Sequence, residues 1–239
     1  MSDQVRFLLG ILAFALIVPS AAMSQSFSER RAPGGVVKLV LLDPGHGGVD
    51  LGARSPKSYL EKTVALKLAQ AIVAQSKKYP TVAVALTREG DLERTNIKRL
   101  ELANLKRADL YISIHTGGGF SPQARPMEIF IAENKKGEAV PGGWSLQNLP
   151  YDAANIRLAK KISTELTRVR PEREIRVVKS GRLALEGLAA PAMIIEPLDL
   201  SNPQDEIMLE DSEFIDKIAS AITKGMMDFL GVKEQEGHS

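Results

Sequence analysis

A chain of 239 residues, 44% hydrophobic and 25% charged, is long enough to bury a core of its own and has the composition of a folded globular protein. It contains no cysteine, which excludes disulfides, thiolate zinc sites and cysteine nucleophiles together. Its net charge of +2 is too small to argue for a nucleic acid partner.

Residues 1–24 read as a secretory signal peptide: Arg6 precedes the apolar run 7–18, and Pro19 is followed by the small residues Ser20, Ala21, Ala22 and Ser24. The run falls short of the ~20 residues a membrane-spanning helix needs, so no stable membrane span is expected once the leader is cleaved. A polar linker, 25–35, follows and is expected to lack regular structure. The stretch 36–232 then alternates short apolar runs with segments of helical period, and a polar tail, 233–239, ends the chain.

The run 36–42 is rich in valine and leucine and predicts a strand buried on both faces. A helix is expected over 61–79, with Val64, Leu68, Ile72 and Val73 on one side. Strand 82–87, helix 97–107, strand 108–115 and strand 127–133 come next. A glycine- and proline-containing loop, 137–150, leads to a helix over 153–169; strands 175–179 and 192–196 and an amphipathic helix over 212–230 complete the series. This alternation predicts a single α/β domain with a mostly parallel sheet covered by helices on both faces. In such sheets chemistry gathers at the carboxyl ends of the strands.

The chain has only three histidines, and two of them fall at those ends: His46 just after the first strand and His115 as the last residue of the third. His238 lies in the polar tail and reads as solvated. Two converging imidazoles without cysteine suggest zinc, which accepts nitrogen and carboxylate oxygen and keeps a coordination position open in catalytic sites. Glu61, where the loop from the first strand meets the helix, is the candidate third ligand; spacing alone reads it equally as a solvated acid in the first helical turn. In the turn DPGHGG, Gly45, Gly47 and Gly48 free the backbone and Pro44 stiffens it, while Asp43 is a candidate to accept a hydrogen bond from His46, orienting the imidazole, or from the turn amides. The turn lacks the Lys–Ser/Thr pair of a phosphate-binding loop. Glu196 ends an apolar strand, where a carboxylate is costly unless it serves a partner or a reaction, and is the candidate general base; Glu128 and Asp199 are lesser candidates.

The segments LLDPGHGGVDLGA (41–53), LEK (60–62), LTREGD (86–91), RLELANLKRADLYISIH (99–115) and PAMIIEPLDLSNPQDEIML (191–209) resemble, in order, the zinc-dependent N-acetylmuramoyl-L-alanine amidases that cut peptidoglycan. The resemblance implies that His46, Glu61 and His115 bind Zn2+, that Glu196 is the catalytic carboxylate, and that the domain is built on a roughly six-stranded, largely parallel sheet. It further implies a peptidoglycan substrate, an exported enzyme of the periplasm or cell wall, a monomer, and an activator protein as a partner to look for. The chain departs from the family pattern at Thr116, Gly117 and Gly118, at Pro197, Leu198 and Asp199, and at Arg176 to Lys179, which bears on substrate detail more than on chemistry. Two rivals remain: a peptidoglycan-binding or regulatory module with a vestigial zinc site, and a zinc peptidase acting on other amides.

Overall fold

The computed structural model describes residues 31–32, 35–119, 126–132, 151–180 and 184–235; the expected signal peptide, most of the linker, the loop 137–150 and the end of the tail lie outside them. Within the linker, β1 (Arg31–Ala32) pairs antiparallel with β2 (Gly35–Val36), where no regular structure was expected. The intervening Pro33 and Gly34 form a turn-promoting pair in the sequence, which accounts for the correction.

The domain then runs β3 (Lys38–Pro44), α1 (Glu61–Ser76), β4 (Val82–Leu86), α2 (Asn96–Leu105), β5 (Leu110–Ile114), β6 (Met127–Ala132), α3 (Asp152–Val169), β7 (Ile175–Ser180), β8 (Ala192–Glu196), α4 (Pro203–Met208) and α5 (Ser212–Leu230). Six strands form one sheet in the order β4-β3-β5-β8-β6-β7. All its pairings are parallel except that of β6 with β8, so β6 and β7 run against the other four. The carboxyl ends of β3, β5 and β8 therefore share an edge with the amino end of β6, and Glu128 stands directly across from Glu196.

Alternation along the strands sorts side chains onto two unequal faces. Val40, Leu42, Ile112 and Ile114 point toward α1, α3 and α5, where Leu68, Ile72, Ile162, Leu166, Ile218 and Ile222 complete the main core. On the other face Leu39, Leu41 and Tyr111 meet Ala103 of α2 together with Leu185 and Leu188, a thinner layer. The first helix stops at Ser76, short of the expected residue 79, because Pro80 forces the preceding chain out of helical geometry. The short α4 has no counterpart in the periodicity, yet its start is signalled by Asn202, whose side chain accepts from the amides of Gln204 and Asp205, with Pro203 just inside. No described helix is long and apolar enough to cross a membrane.

Candidate metal centre

The turn after β3 is held by two buried arginines. Arg88, directly after the β4 edge, donates from Nε to the carbonyl of Pro44 (3.0 Å) and from Nη2 to those of Gly45 (2.8 Å) and Lys62 (2.7 Å). Arg99, in α2, donates from Nη1 to the Asp43 carboxylate (2.6 Å) and the Pro44 carbonyl (2.8 Å), and from Nη2 to the His46 carbonyl (2.6 Å). Each carbonyl from Pro44 to His46 thus has a charged donor in a place where the turn makes no ladder. His46 adopts φ 59°, uncommon for a residue with a side chain, and the arginine-held carbonyls on either side stabilise it there. Lys62 and Asp91 fasten the far side: Lys62 Nζ donates to the Gly48 carbonyl (2.8 Å) and to Asp91 (2.7 Å), whose other oxygen accepts from the Gly48 amide (2.7 Å).

Glu61 opens α1 but does not cap it. Its buried carboxylate reaches back into the sheet edge, one oxygen accepting from the Ala53 amide (2.8 Å) and lying 3.0 Å from His46 Nε2. The other accepts from the Thr116 amide (3.1 Å) and lies 3.0 Å from His115 Nδ1. Burial pushes this carboxyl up, but the hydrogen bonds from His115, His46, Ala53 and Thr116 outweigh it and hold the group well below the usual carboxylate range. Burial likewise pushes His46 down, and the bonds and charges of Glu61 and Asp50 more than reverse that. The two imidazoles meet edge to face with ring centres 4.9 Å apart.

One ligand atom from each of His46, Glu61 and His115 lies within 4.8 Å of the others. Two nitrogens and a carboxylate oxygen are the donor set a catalytic zinc site uses, and Asp50 Oδ1, 2.8 Å from His46 Nδ1, supplies the outer carboxylate that fixes a ligating imidazole. These residues therefore fit a zinc ion by donor type and by their orientation. Glu196 is half-buried at the end of β8 and lines, with the three, a cleft of 320 Å3 that also touches Glu128 and Phe130. A second cleft of 340 Å3 shares His46, His115, Phe130 and Glu196 and extends onto the α2 face of the sheet.

The four residues singled out from the sequence thus come together, and the sheet order brings Glu128 beside them. The expected orienting role of Asp43 does not hold. Asp43 is buried against Arg99, Thr87 (2.5 Å) and Ser113 (2.9 Å), because its place inside β3 points it at the neighbouring strands; Asp50, past the glycines, meets His46 instead. Sequence reasoning included Arg88 and Arg99 only within the family segments 86–91 and 99–115 and gave neither a role of its own. Asp199, the other lesser candidate, is engaged away from the imidazoles: its carboxylate accepts from the Ser201 amide and hydroxyl, and its amide donates to Asp205.

The family described as N-acetylmuramoyl-L-alanine amidase (Amidase_3) matches residues 40–228. The chain is 27% identical over 224 residues to the N-acetylmuramoyl-L-alanine amidase AmiA of Salmonella typhimurium, covering 82% of this chain and 77% of that one. The solved catalytic domain of CwlV, an N-acetylmuramoyl-L-alanine amidase from Bacillus (Paenibacillus) polymyxa var. colistinus, superposes with a TM-score of 0.68 at 25% identity, covering 82% of this chain and all (100%) of that one. The CwlD amidase of Clostridioides difficile, solved in complex with the GerS lipoprotein, gives 0.66 at 25% identity over 81% of this chain and 98% of its own. With the six-stranded sheet, the histidine turn and a match that spans the domain, the chain belongs to the N-acetylmuramoyl-L-alanine amidase family and is an enzyme of that class.

Proposed function

We propose that this enzyme uses zinc to hydrolyse the amide between the lactyl group of N-acetylmuramic acid and the L-alanine of the peptidoglycan stem peptide. In this reading His46, Glu61 and His115 hold the metal and Glu196 is the catalytic carboxylate. The observation that carries it is the convergence of the three ligand atoms at the mouth of a cleft that Glu196 also lines.

Bound zinc supplies Lewis-acid polarisation of the scissile carbonyl and a lowered pKa for water at the site. Glu196 accepts a proton from the attacking water as its oxygen bonds to the lactyl carbonyl carbon. It then delivers that proton to the alanine nitrogen as the carbon–nitrogen bond breaks, leaving a free amine and a lactyl carboxylic acid, which ionises to solvent. Asp50 keeps His46 Nε2 turned toward Glu61, and the Thr116 and Ala53 amides keep the Glu61 oxygens spread between the two imidazoles. The glycine turn leaves the outer side bare for a polymer.

The same reading makes 36–232 the catalytic domain, 1–24 a cleaved export signal and 25–35 a linker, with the enzyme a monomer at the periplasm or cell wall. An accessory activator is the partner to seek, a reading supported by the CwlD amidase having been solved with a lipoprotein. Metal analysis combined with mass spectrometry of digested muropeptides tests the whole. Glu196→Ala is expected to retain zinc and lose turnover by at least ~100-fold, whereas His46→Ala loses both. Full hydrolysis by a zinc-free His46→Ala, His115→Ala protein would overturn the mechanism, and products cut at another amide would move the substrate.

A further inference from the structure

The cleft on the α2 face is lined by groups of both signs, and their partners differ. Of its three carboxylates, Glu196 stands at the reacting end, Asp43 is occupied by Arg99, Thr87 and Ser113, and Asp50 by His46 and the Gly52 amide. Arg94 is not. Its Nε is buried and makes no hydrogen bond, and among the described residues its guanidinium forms no ion pair. Its main chain is fixed: Arg99 donates from Nε to the Arg94 carbonyl (3.0 Å) and from Nη2 to the His46 carbonyl (2.6 Å), so one buried guanidinium ties the cleft wall to the turn carrying the first imidazole. Asn96, two residues on, adds a neutral amide to the same wall. A cation on a fixed stretch of main chain, with an unused buried donor, in a cleft that continues from the reacting groups, is suited to meet an anion.

We propose that Arg94 is a specificity-determining residue whose guanidinium takes a free carboxylate on the peptide side of the scissile amide. The assignment rests on the amidase reading above. In a lactyl–alanine amide the lactyl carboxyl is consumed in the bond, so the free carboxylates belong to the peptide arm, the nearest on the acidic residue after alanine. A planar guanidinium pairs with such a group through two parallel hydrogen bonds and gains nothing comparable from a carboxamide.

The test uses two muropeptides identical except that the residue after alanine bears either its carboxylate or the corresponding carboxamide. The zinc-loaded enzyme is expected to prefer the carboxylate form by roughly 10- to 100-fold in kcat/KM. Arg94→Gln should abolish the preference, lowering kcat/KM for the carboxylate form much more than for the carboxamide, and Arg94→Lys should restore part of it. An absence of preference in the parent enzyme, its survival in Arg94→Gln, or an equal fall on both substrates overturns the assignment, the last because a packing role touches both alike. Calorimetric binding of the same two compounds to the Glu196→Gln protein gives a readout free of turnover. A parent enzyme that cleaves neither compound brings down the amidase reading itself; binding then decides Arg94 separately, a carboxylate preference lost in Arg94→Gln upholding it and equal affinities sinking it.

Discussion

Gly45 shows what the bare turn is for. A Cβ placed on it would lie 2.4 Å from His115 Cε1 and 2.6 Å from both ring nitrogens, well inside any real contact. The glycine between Pro44 and His46 therefore makes room for the other histidine, delivered by a neighbouring strand, and not only for an incoming polymer. Gly52 does the same on the far side: at φ +67° its missing Cβ would meet His46 Cδ2 at 2.6 Å and the Glu61 side chain at 2.7 Å. Gly45→Ala is expected to swing the His115 ring out of line and drop bound zinc from one per chain to less than about half, with a Tm shift of only a few degrees because the core is untouched. Metal content beside a thermal melt checks this, and full zinc occupancy in the variant would show that the ring has somewhere else to go. His46 and His115 were legible at this scale because histidine is rare in this chain and both fall at strand ends, and Glu196 because a carboxylate is costly at the end of an apolar strand; spacing left Glu61 even with a solvated acid, and only the family resemblance singled it out. Asp50 was not legible, since only the folded turn reveals which of two acids, Asp43 or Asp50, faces the ring.

At the scale of elements, the loop carrying His46 is joined to β4 and α2 by charge, not by apolar packing. Arg99 brings four groups together, the Asp43 carboxylate and the carbonyls of Pro44, His46 and Arg94, while nearly excluded from water. Arg99→Met leaves Asp43 buried without its ion and the carbonyls of His46 and Arg94 without this donor, Pro44 keeping Arg88, and should cost about 3–5 kcal/mol of stability in urea unfolding. Adding Asp43→Asn to it should recover part of that loss, since the stranded charge is then gone and only hydrogen bonds are missing. Additive losses in the double variant would mean that the ion pair itself matters little. Two of the three segments that depart from the family pattern, 116–118 and 197–199, meet in a second joint, made by main-chain hydrogen bonds. The Gly117 amide donates to the Leu198 carbonyl and the Leu200 amide to the Gly117 carbonyl, both at 2.7 Å, so residues after β5 and after β8 extend the sheet together beyond the site. Asp205, accepting from Arg170 (2.8 Å), Arg173 (2.7 Å) and the Asp199 amide (2.8 Å), anchors that extension to the end of α3. Both departures thus change one joined strip rather than two unrelated loops.

For the whole molecule, the unequal faces of the sheet divide the work. The thick face with α1, α3 and α5 contains most of the buried apolar side chains, while the thin α2 face is open enough to hold the second cleft. Helices α3 and α5 approach closely at Gly225, where a Cβ would come within 2.6 Å of Ile162 Cα. The atom met is backbone, so it cannot swing aside. Gly225→Ala gains about 1 kcal/mol of helix propensity but must push two helices apart, at a cost of about 1–3 kcal/mol. The variant should melt a few degrees lower, with turnover per folded molecule unchanged because this contact lies on the main-core face, away from the metal centre. A raised melting temperature would show that the helices shift freely enough for propensity to win.

The order of the main strands and helices and the class of the fold were legible in the sequence alone, because they rest on local period and turn chemistry, and His46 and His115 stood out through the rarity of histidine in this chain. Three things were decided only by the tertiary structure. The reversal of β6 and β7, which sets Glu128 across from Glu196, depends on strand neighbours that no local period encodes. The pairing of buried arginines with the carbonyls of the histidine turn joins residues more than 40 positions apart, so nothing in either segment announces the other. The state of Arg94, an ordinary surface-type residue in the sequence, becomes distinctive only when the fold occupies Asp43 and Asp50 with other donors and buries the Arg94 Nε without a partner in the wall of the cleft.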